Sequence, residues 1–193
     1  MSKKIALVTG ATGGIGFQVA KRLGEDGYTV VLNGIEDDKG AERVEELAAL
    51  GIEAEYYGFD VTNDEAVTEN VKAIGEKYGQ IDAVINNAGG LGGRSPMEEM
   101  TTEFYRSVMA LNLDSAFFVS RAAIPYLKKT TGGSIVNYTS NAAWNAGGPG
   151  AGIYGVSKAA VNTLTRALAK ELAPAGIRVN AVSPGTNDTP CPA

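Results

Sequence analysis

Residues 4–16 read K-I-A-L-V-T-G-A-T-G-G-I-G, and the change of pattern inside this stretch decides the fold. Ile5 to Val8 is a short apolar run of the kind that forms a buried strand, whereas Ile15, Val19 and Leu23 recur at helical spacing. Gly10, Gly13, Gly14 and Gly16 fill the turn between them. Glycine lets a backbone approach a pyrophosphate closely, and the free N–H groups at a helix start, with the positive end of its dipole, favour an anion. A strand that runs into a glycine turn opening a helix is the context expected of a dinucleotide site. The plain alternative is a tight strand-to-helix turn that binds nothing. A P-loop does not fit, because no Gly-Lys-Ser/Thr follows, and the spacing is T-G-x-x-x-G-x-G and not G-x-G-x-x-G.

The same alternation continues outward from this stretch. Apolar runs at Tyr28 to Leu32, Ala54 to Phe59, Ile81 to Ile85, Ser134 to Tyr138 and Ile177 to Val182 join Ile5 to Val8 as predicted strands. Between them Val44, Leu47 and Leu50, then Val67, Val71, Ile74 and Tyr78, each give one apolar helix face. Thr62 with Glu65 reads as a capping box, and Gly51 and Gly79 stand where C-terminal caps belong. Two longer helices are expected at about 101–128 and 152–172, with Pro174 and Gly176 closing the second. Strands alternating with helices predict an α/β fold: a doubly wound parallel sheet of six strands with helices on both faces.

Composition bounds the function. A length of 193 residues with 44% hydrophobic content and 25 glycines fits one globular domain over 1–193. A net charge of -5 argues against nucleic acid or an anionic membrane as partner, and no apolar run approaches the roughly 20 residues of a membrane span. The start, M-S-K-K-I-A-L-V-T-G, turns into glycines too early for a secretory signal, so the expected location is the cytoplasm. The lone Cys191 excludes an internal disulfide, and the absence of histidine removes the usual zinc sites and every His-based triad. No metal is expected, and proton chemistry falls to Tyr, Lys, Ser or carboxylates.

Y-G-V-S-K at Tyr154 to Lys158 supplies that chemistry, because a phenol and an ammonium four residues apart share a helix face. A neighbouring ammonium favours the phenolate, which makes Tyr154 a candidate acid/base. Such a pair on a surface helix is also common without function.

Taken together, these motifs resemble the short-chain dehydrogenase/reductase family, in the shorter-chained branch of 3-oxoacyl-carrier-protein reductases and sugar dehydrogenases. Thr9, Gly10, Gly14 and Gly16 match its cofactor turn, with Thr12 and Ile15 inside it. Asp60 and Val61 in F-D-V-T match the adenine contact, and Asn86, Asn87, Ala88 and Gly89 match N-N-A-G. Asn112 in L-N-L, Ser140, Tyr154 and Lys158 match the catalytic tetrad, and Pro184 with Gly185 matches the motif after the sixth strand. Gly10, Gly13 and Gly16 also satisfy T-G-x-x-G-x-x-G, the pattern of the longer branch that includes sugar epimerases.

The resemblance implies a Rossmann fold and metal-free hydride transfer between a nicotinamide and a small-molecule carbonyl or alcohol. In that scheme Tyr154 donates the proton and Ser140 bonds the substrate oxygen. Lys158 holds the nicotinamide ribose and lowers the Tyr pKa, and Asn112 holds a relay water. The cofactor is NAD(H) or NADP(H). Neither the Arg that often marks NADP at Ile35 nor the Asp that often marks NAD at Gly34 is present, and the acidic Glu36, Asp37 and Asp38 favour NAD.

Substrate contacts are expected from Trp144 and Asn145 in the Gly-rich loop between Ser140 and Tyr154, and from Arg94 as a partner for an acidic substrate. Oxo-acyl, sugar and small keto compounds all remain open. The ending N-D-T-P-C-P-A departs from the family, whose members continue into a further strand and a substrate lid. Asn187 replaces an aliphatic residue, while Thr189 keeps the hydroxyl that resembles the carboxamide contact. A chain shortened in this way is expected to keep its reacting carbon wet and the edge of its sixth strand exposed. Turnover is then expected to be weakened. The alternatives are a nucleotide-binding protein without turnover and an epimerase-like protein. A homo-oligomer is expected, a dimer through the two long helices before a tetramer.

Overall fold

The computed structural model describes residues 3–185. Its element order is β1 (Lys4–Val8), α1 (Gly14–Glu25), β2 (Tyr28–Gly34), α2 (Asp37–Ala49), β3 (Ala54–Gly58), α3 (Asp64–Tyr78), β4 (Ala83–Asn86), α4 (Thr102–Met109), a π-helical turn (Ala110–Asp114), α5 (Ser115–Leu127), β5 (Ser134–Tyr138), α6 (Ala142–Asn145), α7 (Gly152–Leu172), a 3-10 turn (Ala173–Ala175) and β6 (Arg178–Val182). All strand pairs are parallel, and the sheet order is β3-β2-β1-β4-β5-β6. This is the doubly wound, Rossmann-like arrangement that the alternating pattern predicts.

Alternation along β1 divides the core in two. Ile5 and Leu7 point to the face where Val67, Val71 and Ile74 of α3, Val119 and Leu127 of α5 and Leu168 and Leu172 of α7 pack. Ala6 and Val8 point to the opposite face, against Phe17 and Ala20 of α1 and Leu47 of α2. Because β1 is covered on both sides, Ile5 to Val8 are all buried, and the strand reads as a continuous apolar run. The strand order reverses between β1 and β4, so a crevice opens at the carboxyl ends of these two strands. β6 lies at one edge of the sheet, with Arg178, Asn180, Ala181 and Val182 exposed.

Three local expectations need correction. The cap of α3 is Asn63, whose side chain accepts from the Ala66 N–H at 3.1 Å, while Thr62 binds Asp60 instead. The single helix expected at about 101–128 is two helices joined by the π-helical turn. The stretch after Ser140 contains the short helix α6, ended by Ala146 at a left-handed φ of 62°. The expected glycine caps are found, Gly51 with φ 75° and Gly79 with φ 79°.

Candidate active site

Close backbone approach builds the turn after β1. Gly10 has a left-handed φ of 60°, and a Cβ there would stand 3.0 Å from the Ala88 Cα. Gly16 is tighter still: a Cβ would lie 2.3 Å from the Gly10 carbonyl oxygen and 2.5 Å from Asn87 Nδ2. Asn87 causes the crowding, because its Nδ2 donates to the carbonyls of Thr9 at 3.0 Å and Gly10 at 3.1 Å. Thr9 Oγ1 reciprocates by accepting from the N–H groups of Asn87 at 3.1 Å and Ala88 at 3.0 Å. The glycine turn and the N-N-A-G segment are therefore one construction at the crevice between β1 and β4. No side chain caps α1, and a Cβ at Gly13 or Gly14 would meet nothing within 4 Å. The first donors of the helix are left for a ligand, and the open cradle fits a dinucleotide's pyrophosphate. Ile15, half-buried, is the second residue of α1.

Thr12 packs into the space a side chain at Gly34 would fill, its Cγ2 lying 2.5 Å from where that Cβ would be. A residue the sequence reading passed over secures it. Arg43 Nε donates to the Thr12 carbonyl at 3.1 Å, with the guanidinium 4.8 Å from the Phe17 ring centroid and bound to Glu46 at 2.6 Å. Nothing in the local pattern of α2 marks this arginine, because its partner lies in a different motif. Around the same end of the sheet, Ile35 is 76% exposed beyond β2, and Glu36 pairs with Lys39 at 2.7 Å. Asp60 is exposed, with its Oδ1 accepting from both the N–H and the hydroxyl of Thr62 at 2.8 Å, and Val61 is buried beside it.

A second cluster surrounds Gly89. A Cβ at Gly89 would be 2.8 Å from Asn112 Oδ1 and 2.9 Å from Lys158 Nζ, so these two buried side chains meet at this backbone. Asn112 sits in the π-helical turn and is 1% exposed. It accepts from the Gly90 N–H at 3.0 Å and donates to the carbonyls of Gly90 and Val108, both at 2.9 Å. Lys158 Nζ donates to the Tyr138 carbonyl at 2.9 Å and lies 5.8 Å from the ring centroid of Tyr154, one turn earlier on α7. Burial pushes the Lys158 ammonium down to about 8. Ser140 follows β5 two residues after Tyr138, and its Oγ accepts from the Ala142 N–H at 3.1 Å. Asn112 and Lys158 thus meet at Gly89, after β4, with the Tyr154 ring beside the Lys158 ammonium, while Ser140 stands just after the carboxyl end of β5.

The remaining expected positions lie at the periphery. Pro184 is half-buried and Gly185 exposed, just beyond β6, where Ser183 donates to Asn141 Oδ1 at 3.3 Å. Thr189, Asn187 and Cys191 lie outside the described residues. Trp144 in α6 is 78% exposed, whereas Asn145 Oδ1 is engaged locally, accepting from the Gly147 N–H at 2.9 Å. Arg94 Nη1 donates to the Pro149 carbonyl at 2.8 Å. No helix among the described residues is long and apolar enough to cross a membrane.

Residues 4–193 match the family model described as short chain dehydrogenase. Over 188 residues the chain is 42% identical to a 3beta-hydroxysteroid dehydrogenase of Mediterraneibacter gnavus, covering 97% of this chain and 67% of that protein. Among solved structures, the NADH-dependent reductase A1-R' complexed with NAD superposes with a TM-score of 0.91 at 36% identity, covering 97% of this chain and 80% of that one. A variant actinorhodin polyketide ketoreductase with NADPH gives a TM-score of 0.91 at 36% identity, covering 97% and 72% respectively.

Proposed function

The chain belongs to the short-chain dehydrogenase family of nicotinamide-dependent oxidoreductases, and on that premise we propose that it interconverts a ketone and a secondary alcohol with Tyr154 as the proton donor and acceptor. The observation that carries this reading is the convergence on Gly89. There a buried Lys158 and a buried Asn112 meet the N-N-A-G backbone, which also braces the glycine turn. When bound, the cofactor supplies a hydride to the carbonyl carbon or accepts one from the alcohol carbon. The chain's own residues do the rest. Tyr154 gives its hydroxyl proton to the carbonyl oxygen as charge develops there, and Ser140 Oγ hydrogen-bonds the same oxygen. Lys158 places a positive charge beneath the Tyr154 ring and, with Asn112, lines a route for the replacement proton. The turn of Gly10 to Gly16, with Thr12 held by Arg43, receives the pyrophosphate at the start of α1.

NAD(H) is the cofactor we favour. The acidic Glu36, Asp37 and Asp38 stand where β2 ends and α2 begins, and a 2′-phosphate near them would be repelled. The substrates lie among neutral or acyl-bearing ketones, the chemistry named for the steroid dehydrogenase and the polyketide ketoreductase to which the chain is similar. Oxidation of NADH against a panel of cyclic ketones, 3-oxoacyl thioesters and keto sugars tests the reading. Turnover of at least one class is expected. Tyr154→Phe should lower it by roughly 100- to 10,000-fold while NADH still binds. Undiminished turnover by Tyr154→Phe would remove Tyr154 from the chemistry.

A further inference from the structure

The loop that follows β4 and the loop that leads into α7 touch along a short, ordered register. Arg94 Nη1 donates to the Pro149 carbonyl at 2.8 Å, and one residue later the Ser95 N–H donates to the Gly150 carbonyl at 3.0 Å. At Gly148, Gly150 and Gly152 the space a side chain would need is taken by what the first loop places there. A Cβ at Gly150 would stand 3.0 Å from Arg94 Cβ and 3.1 Å from the Ser95 nitrogen, and Gly150 also has a left-handed φ of 76°. At Gly148 a Cβ would be 3.4 Å from Arg94 Nη1, and at Gly152, the first residue of α7, 2.5 Å from Met97 Cε. Residues 94–97 therefore run along residues 148–152, and Tyr154 lies two residues beyond.

We propose that Arg94 is a positioning residue that latches the loop after β4 onto the start of α7 and so fixes where Tyr154 stands. The guanidinium serves the protein backbone, in contrast to the acidic-substrate contact expected from the sequence. Its planar fork suits a fixed carbonyl better than a flexible ammonium does. The proposal rests on the reading of Tyr154 as the proton donor, but the pairing of the loops can be measured without any turnover.

Amide hydrogen exchange on the whole protein, free of ligand, is the first arm of the test. Arg94→Met should speed exchange at Ser95 and across residues 147–152 by about 3- to 10-fold, the loss expected for one hydrogen bond, and Arg94→Lys should recover part of it. Gly150→Ala should loosen the same segment while leaving the guanidinium in place. In the second arm, kcat of Arg94→Met should fall by a similar factor on ketones with and without a carboxylate, with NADH affinity and ketone KM little changed. Unchanged exchange in Arg94→Met would overturn the latch. So would a loss confined to carboxylate-bearing ketones and expressed in KM, which would return Arg94 to substrate binding. If no ketone is turned over by the parent, the function fails and the exchange arm alone decides the latch.

Discussion

Lys158 is the residue whose environment has the most consequences. It is 4% exposed, and burial lowers its ammonium from 10.5 to about 8. Between those values the unfolded chain binds more protons than the folded one, so this group makes stability rise with pH across that window and imposes a constant cost below it. Lys158→Met, close in shape and uncharged, should flatten the rise, which urea unfolding midpoints at several pH values between 7 and 10.5 will read. In the parent, the pH profile of kcat/KM should show a falling limb near pH 8 as the Lys158 charge is lost, and the Lys158→Arg variant should move that limb upward. The spacing of Tyr154 and Lys158 was legible because four residues on a helix fix a shared face. Arg43 was not, since its role depends on a carbonyl 31 residues away that only folding brings near.

Among the elements, the π-helical turn at Ala110–Asp114 is one that sequence periodicity could not reveal. Apolar spacing over 101–128 suits one helix, and a π turn changes the hydrogen-bond step without changing the residue types. Its effect is to hold Asn112 so that one side chain binds Val108 within the helix and Gly90 outside it. Asn112→Ala removes those three hydrogen bonds and should cost about 2 to 4 kcal/mol, measurable by urea unfolding, because the Gly90 groups lose their partners. If the variant is as stable as the parent, the turn is held by packing alone. The capping misreading has a similar origin. Thr62 and Asn63 are both good caps, and the choice fell to Asn63 because Asp60 claims the Thr62 hydroxyl. Helix α6 was hidden because a four-residue helix in a Gly-rich stretch carries no period to detect.

For the whole molecule, the parallel α/β class could be read from strands alternating with helices, and all six strands were placed within a few residues. The strand order could not be read this way, because it depends on which edges pair. A buried polar bridge marks one such pairing. Asn86 on β4 donates to Asn137 on β5 at 2.8 Å, and Asn137 donates to Thr165 on α7 at 2.9 Å, tying the layers beneath the candidate site. The surface carries a further expectation: Phe117 on α5 and Val156 on α7 are 39% and 52% exposed. We propose the exposed faces of α5 and α7 as a self-association surface, so sedimentation should show a dimer that Phe117→Glu or Val156→Lys shifts toward monomer, and a monomeric parent would refute it.

The glycine turn, the N-N-A-G segment and Lys158 are held here to form a single nicotinamide dinucleotide site, and titration of NADH and NADPH into the chain, followed by nicotinamide fluorescence, tests this most directly. The expected result is saturable binding of both reduced cofactors' common half at one site, with NADH tighter than NADPH. Binding of neither cofactor by the folded protein would contradict it.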